Sequence, residues 1–264
     1  MESISDRIRW KVKTYLPFNR KVNFIIAGTQ KGGTTALDEY CREHPELCMA
    51  NKKEVHYFDH EKNFSQRSQK YNHYHAYFSP RKRHKLLGEA TPIYMYWKTS
   101  PKRMFEYNPE LKVILILRNP IERAYSHWNM ERAEKADNLS FIEALKTEKE
   151  RCASALPEQH RVFSYTDRGH YVRQIERLWS YFPKEQTLIL KSEALKQDPN
   201  GTLSTLAQFL GVSEFSNVQM KDVHSRPYDS DMSEEAKNYL IDLFSPEVQK
   251  LEKLLGWDCK DWLR

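Results

Sequence analysis

The stretch that most limits what this chain can become is Lys21 to Leu37, KVNFIIAGTQKGGTTAL. An apolar run from Val22 to Ala27 enters Gly28-Thr29-Gln30-Lys31-Gly32-Gly33-Thr34-Thr35 directly, and a helical pattern from Ala36 to Arg42 follows. Strand, glycine-rich turn and helix in that order aim backbone N–H groups and the positive end of a helix at an anion. The glycines let backbone approach the ligand closely. Lys31 adds a mobile positive charge, and Thr34 and Thr35 add hydroxyl donors.

The turn resembles a nucleotide-binding P-loop with one departure. Walker A reads G-x-x-x-x-G-K-[ST]. Gly28 and Gly33 have that separation, but Thr34 follows them and the lysine stands earlier, at 31. The strongest strand pattern, Lys112 to Leu117, is continuously apolar, as in a central parallel strand covered on both faces. It ends in Arg118, where a Walker B strand would carry an Asp to hold magnesium. A second anion partner at a strand end is therefore expected rather than a metal ligand. Glu89, after a short buried strand over 85–88, is the one competing strand-end carboxylate, suited to orienting Lys31, the acceptor or the strand end.

Further along, strand and helix patterns alternate. Residues 60–85 read as a polar surface excursion with one short helix. A helix is expected from Trp97 to Tyr107, and another from Pro120, at the favoured first position, carrying Arg123, Ser126 and His127. Residues 137–168 read as less regular, with a helix near 141–151. A helix follows Gly169, a strand spans Thr187 to Lys191, and Asp198-Pro199 caps a helix stopped by Gly211. Ser233 caps a last long helix to Leu255, with a possible break at Pro246. The expected fold class is α/β, a P-loop-type three-layer fold with a central parallel sheet and helices on both faces. One ligand crevice is expected at the carboxyl ends of the strands.

The 264 residues suit a single domain, 1–264, with a basic N-terminal extension over residues 1–20. The net charge of +6 is spread along the chain, which suits a polyanionic ligand but does not point to nucleic acid. Cys41, Cys48, Cys152 and Cys259 have no zinc or disulfide spacing, so reduced thiols in a cytoplasmic protein are expected. No run is long enough to span a bilayer.

Four blocks in order resemble the sulfotransferase family that uses 3′-phosphoadenosine 5′-phosphosulfate (PAPS), in the branch of heparan-sulfate and bacterial soluble enzymes. They are Gly28–Thr35; Lys53-Glu54-Val55-His56-Tyr57-Phe58-Asp59, similar to K-E-x-H-[FY]-F; Leu117 to Ser126, similar to R-[ND]-P-x-x-R-x-x-S; and His224-Ser225-Arg226-Pro227-Tyr228, similar to K-G-R-x-Y. The resemblance implies that Lys31, Gly32, Gly33, Thr34 and Thr35 grip the 5′-phosphosulfate. It implies that Arg118 and Ser126, joined by Arg226, bind the 3′-phosphate, and that Tyr228 stacks near adenine. His224 and Ser225 depart from the pattern. Glu54 is the implied general base, with His56 the runner-up, and no metal is required. The expected transfer is of the sulfuryl group to a hydroxyl, or an amine, and the expected partner is a small hydroxylated acceptor, as in secondary metabolism. A glycan acceptor, approached over Lys52, Lys53, Arg81 and Lys82, is the alternative. A P-loop small-molecule kinase and a non-catalytic nucleotide-binding module are the other readings.

Overall fold

The computed structural model describes residues 20–65, 71–216, 228 and 230–264. The basic extension, apart from Arg20, and the His224–Pro227 part of the fourth block, Arg226 included, lie outside the described residues.

Five strands, β1 (Phe24–Gly28), β2 (Leu47–Met49), β3 (Leu86–Ala90), β4 (Lys112–Leu117) and β5 (Thr187–Lys191), form one sheet in the order β2-β3-β1-β4-β5. Every pairing is parallel. Side-chain alternation explains why β4 is apolar throughout. Val113, Leu115 and Leu117 enter one core layer, while Ile114 and Ile116 enter the other. The second layer is closed by α1 (Thr34–Glu43), through Leu37, Tyr40 and Cys41, and by the later helices α8 (Ser192–Gln197) and α9 (Pro199–Leu210), through Leu195, Leu203 and Leu206. The first layer is closed by α4 (Pro120–Ala133), α7 (Tyr171–Trp179) and α10 (Glu234–Leu255), through residues such as Ala124, Ile175 and Phe244.

This layering positions the site. The chain leaves β1 toward α1 on one face of the sheet, and leaves the adjacent β4 toward α4 on the other. Connections that part in this way open a crevice at the strands' carboxyl ends. The loop Thr29–Gly33 and Arg118 both border it.

Several expectations need correction. Residues 60–85 are not confined to the surface: α2 (Asn72–His75) drives Tyr74 into the core, and Phe78 follows it. A polar background hides these two aromatics from a periodicity argument. The three-residue β2 is too short to show a period. The helix expected from Trp97 is α3, Ser100–Tyr107, because Pro101 fixes its first turn. The helix near 141–151 is two, α5 (Phe141–Lys146), with a Ser140–Glu143 capping box, and α6 (Glu148–Ala153). Pro246 does not break α10, which runs from the Ser233 cap to Gly256, itself in the left-handed conformation. Proline removes one helical donor there.

Candidate active site

The loop after β1 is held hard against β4. Thr29 N donates to Ile116 O at 3.0 Å, and Gly32 N to Thr29 O at 2.9 Å. At Gly32 a Cβ would stand 2.4 Å from Ile116 O, so only glycine fits. Gly33 has φ 109 and Lys31 φ 67. These positive values turn the chain from the strand into α1, whose first residues are Thr34 and Thr35. Lys31 through Thr35 thus lie at the head of a ten-residue helix, where backbone N–H groups have no helical acceptor.

Arg118, one residue beyond β4, turns toward this loop. Its Nη1 lies 3.4 Å from Lys31 O, and its side chain is ion-paired to Glu122 at 2.8 Å. The Tyr171 hydroxyl donates to Arg118 O at 2.8 Å, pinning the backbone. Ser126 is buried on α4, two turns further on. The next-door Tyr125 packs edge-on against Tyr228, with centroids 5.2 Å apart. The first and third blocks therefore meet through Arg118 and Lys31, and Tyr228 of the fourth packs on Tyr125 of the third.

Arg123, on α4, is not a surface residue of its helix: the side chain is fully buried. It donates to Tyr165 O, while its Nε and Nη1 have no hydrogen-bond partner among the described residues. Arg168, also buried, donates to Gln30 Oε1 in the loop, to Ser164 Oγ and to Arg161 O. Nothing local in the sequence marks Arg168, because its partner in the loop, Gln30, is 138 positions away. Burial, and then the positive charge of Arg168, Arg123 and Lys31, keep the His127 imidazole far below its ordinary pKa. So much positive charge behind an amide-lined turn fits a polyphosphorylated nucleotide.

The second block lies on the other side of β1, beside β3. Glu54 N donates to Ala90 O at the end of that strand, at 2.9 Å. Glu54 and His56 both take left-handed backbone, φ 60 and 57. Lys53 Nζ sits 2.7 Å from Glu54 Oε1, and His56 Nε2 lies 3.5 Å from Glu54 Oε2. The other ring nitrogen, Nδ1, is 3.0 Å from Asp59 Oδ2, and Asp59 is in turn held by Arg161. The hydrogen bond to His56 and the nearby Lys53 outweigh desolvation and hold the Glu54 carboxyl down to about 2. Burial works against charge on His56, but the bonds to Asp59 and Glu54 overcome it and lift the imidazole to about 9. Near neutral pH the pair is carboxylate and imidazolium. Asp59 closes the second block. A carboxylate three residues after a histidine was the available signal.

Glu89 does not reach for the loop. It is fully buried, accepting from Tyr74 Oη at 2.7 Å and Thr91 Oγ1 at 2.8 Å. Burial pushes its carboxyl up to about 7. Tyr57, Phe58, Trp97 and Trp128 are all core residues.

A parallel sheet with an amide-lined turn after β1 and an arginine after β4, without a Walker lysine, is the frame of a PAPS-dependent sulfotransferase. The chain belongs to that family: its sulfotransferase domain matches residues 21–250. Similar proteins include the membrane-associated sulfotransferase kil1 of Dictyostelium discoideum, 25% identical across 98% of this chain and 71% of its own length. Human heparan sulfate glucosamine 3-O-sulfotransferase 3B1 is 31% identical across 71% of this chain and 45% of its own. The chain thus spans about half the length of the heparan sulfate relatives it matches. A crystal structure of a sulfotransferase from Alicyclobacillus acidocaldarius superposes with a TM-score of 0.80 at 27% identity, covering 93% of this chain and all of that one. A mouse sulfotransferase complexed with PAP, adenosine 3′,5′-bisphosphate, shares the fold, with a TM-score of 0.55 at 14% identity over 93% of this chain and 90% of that one. Among the described residues, no helix is long and apolar enough to cross a membrane.

Proposed function

We infer that this enzyme transfers a sulfuryl group from PAPS to a hydroxyl of a small acceptor, with Glu54 as general base. The observation that carries this reading is the flanking of β1: the Arg118 side lies along β4 and the Glu54 side along β3. The donor would cross the end of β1, its 3′-phosphate toward Arg118 and Ser126, with Arg226 joining them. Its 5′ end would meet Lys31 and the N–H groups of Gly33, Thr34 and Thr35, with Gly32, whose own N–H is held by Thr29 O, shaping the turn, and its adenine would lie by Tyr228. When bound, PAPS supplies the sulfuryl group and leaves as the bisphosphate. Lys31 holds positive charge where the leaving oxygen becomes negative. Glu54 accepts the acceptor's hydroxyl proton. His56, fixed by Asp59, orients the Glu54 carboxylate.

A carboxyl near 2 is a weak base by itself. Its value in this scheme is position, since transfer to sulfur, like loose phosphoryl transfer, depends chiefly on alignment and charge. A compact acceptor pocket is supported by the segment 159–161. Gln159 is bonded to Tyr96 O and Lys98 N, and Arg161 to Asp59, which ties this segment to the carboxylate that holds His56. A sugar hydroxyl within a glycan is the second reading. It is favoured by the heparan sulfate relatives and by exposed Lys52, Arg81 and Lys82. Free thiols at all four cysteines agree with a cytoplasmic setting for the small-acceptor reading.

The test is transfer of labelled sulfate from PAPS to a panel running from phenols and alcohols to heparan sulfate oligosaccharides. Small hydroxylated compounds should be sulfated, and Glu54→Gln should lower kcat by about 100-fold or more while PAP binds as before. Transfer to oligosaccharides alone would overturn the small acceptor. An undiminished Glu54→Gln enzyme would overturn the base.

A further inference from the structure

The segment that presents Glu54 and His56 has an unusual backbone. Two non-glycine residues, separated by one position, both adopt left-handed φ. Such conformations persist only where their surroundings over-determine them. Here the surroundings are the turn that follows β3. Glu54 N is held by Ala90 O, Val55 N by Thr91 Oγ1 at 3.1 Å, and Tyr57 N by Tyr94 Oη at 2.8 Å, with Phe58 N at 3.4 Å from the same oxygen.

A threonine hydroxyl can serve as an acceptor for Val55 only if its proton points elsewhere. It does: Thr91 Oγ1 donates to Glu89 Oε2 at 2.8 Å. The carboxyl is itself fixed, because Tyr74 Oη donates to its other oxygen at 2.7 Å. Glu89 and Thr91 are both fully buried, so water does not compete for these bonds.

We propose that Glu89, acting through the Thr91 hydroxyl, is the positioning residue that holds the Glu54–His56 segment in its active conformation. The inference rests on the reading of Glu54 as the base. It assigns the strand-end carboxylate a role toward the acceptor side of the site rather than toward Lys31. Glu89 touches neither donor nor acceptor. Its effect should fall on kcat and leave donor binding alone, because the side-chain bonds of Glu89 and Thr91 run to Tyr74 and to Val55 N, whereas the loop after β1 is held by Ile116 O and by Arg168.

The experiment compares Thr91→Val, Thr91→Ser and Glu89→Leu with the wild type, using the acceptor of fastest turnover from the panel above and PAP as the binding probe. Thr91→Val keeps the volume and removes the hydroxyl. Its kcat should fall about tenfold or more, with PAP affinity within about twofold of wild type. Thr91→Ser restores the hydroxyl and should recover most of the rate. Glu89→Leu should resemble Thr91→Val. If Glu89→Leu does not fold, the threonine pair decides. A wild-type rate in Thr91→Val, a Thr91→Ser enzyme as slow as Thr91→Val, or an equal loss of PAP affinity would each overturn the proposal. Glu54→Gln is run alongside. If it is inactive while Thr91→Val is fast, only the positioning role fails; if it is fast, the base assignment fails first.

Discussion

At the scale of single residues, the acceptor side is governed by His56 between two carboxylates. Its folded pKa, raised to about 9 from an ordinary 6.5, means that the native state binds more protons than the unfolded chain between those values. The stability it contributes is full below about 6.5 and is lost as pH climbs through about 9. Unfolding in urea across this range should therefore show wild type most ahead of His56→Gln at pH 6, with the gap closing by about pH 9 to 10. A gap that stays constant with pH would mean that the imidazole is not charged in the fold. The neighbours that create this behaviour were unevenly visible in the sequence. Glu54, His56 and Asp59 lie within one short block and could be read together. Arg161 could not, since it joins Asp59 from 102 positions away.

At the scale of elements, the β1–loop–α1 unit depends on a contact distance. Gly32 packs under the carbonyl of Ile116, and Gly33 turns the chain through positive φ. Gly32→Ala must push the loop off β4 or distort both. PAP affinity should drop about tenfold or more, equivalent to about 1.4 kcal/mol, as measured by calorimetry. Unchanged affinity would show that the loop can shift without disturbing the anion site. This unit was legible because strand, turn and helix are contiguous and each carries its own signal. β4 was legible because burial on both faces makes every residue apolar. β2 and the buried aromatics around Tyr74 were not, since their identity as core depends on what the rest of the chain brings against them. The place of Arg123 on its helix and that of Arg168 in an irregular stretch say nothing of burial, because their partners are fixed by tertiary packing rather than by a sequence period.

At the scale of the whole molecule, two helical layers compress a sheet whose carboxyl end gathers Lys31, Arg118, Arg123 and Arg168. Arg123 and Arg168 are fully buried there, and keeping two such charges out of water is costly unless an anion joins them. Ligand binding to the native state should therefore raise the melting temperature. PAP at 100 times its Kd should add about 2.7 kcal/mol, with no need for magnesium. Arg118→Ala should lose most of the preference for PAP over AMP, which lacks the 3′-phosphate, by about 30-fold. An equal shift with either nucleotide in the wild type would remove Arg118 from the ribose phosphate.

Arg168 grips Gln30 in the turn after β1 and the carbonyl of Arg161, while Arg161 grips Asp59, which steadies His56. On the proposed reading, donor and acceptor halves thus share a strut. An engineer who rebuilds residues 159–161 to admit a bulkier alcohol also loosens the fastening of the nucleotide turn. Substrate range and cofactor affinity should then drift together, and libraries aimed at new acceptors would do best to leave both arginines in place.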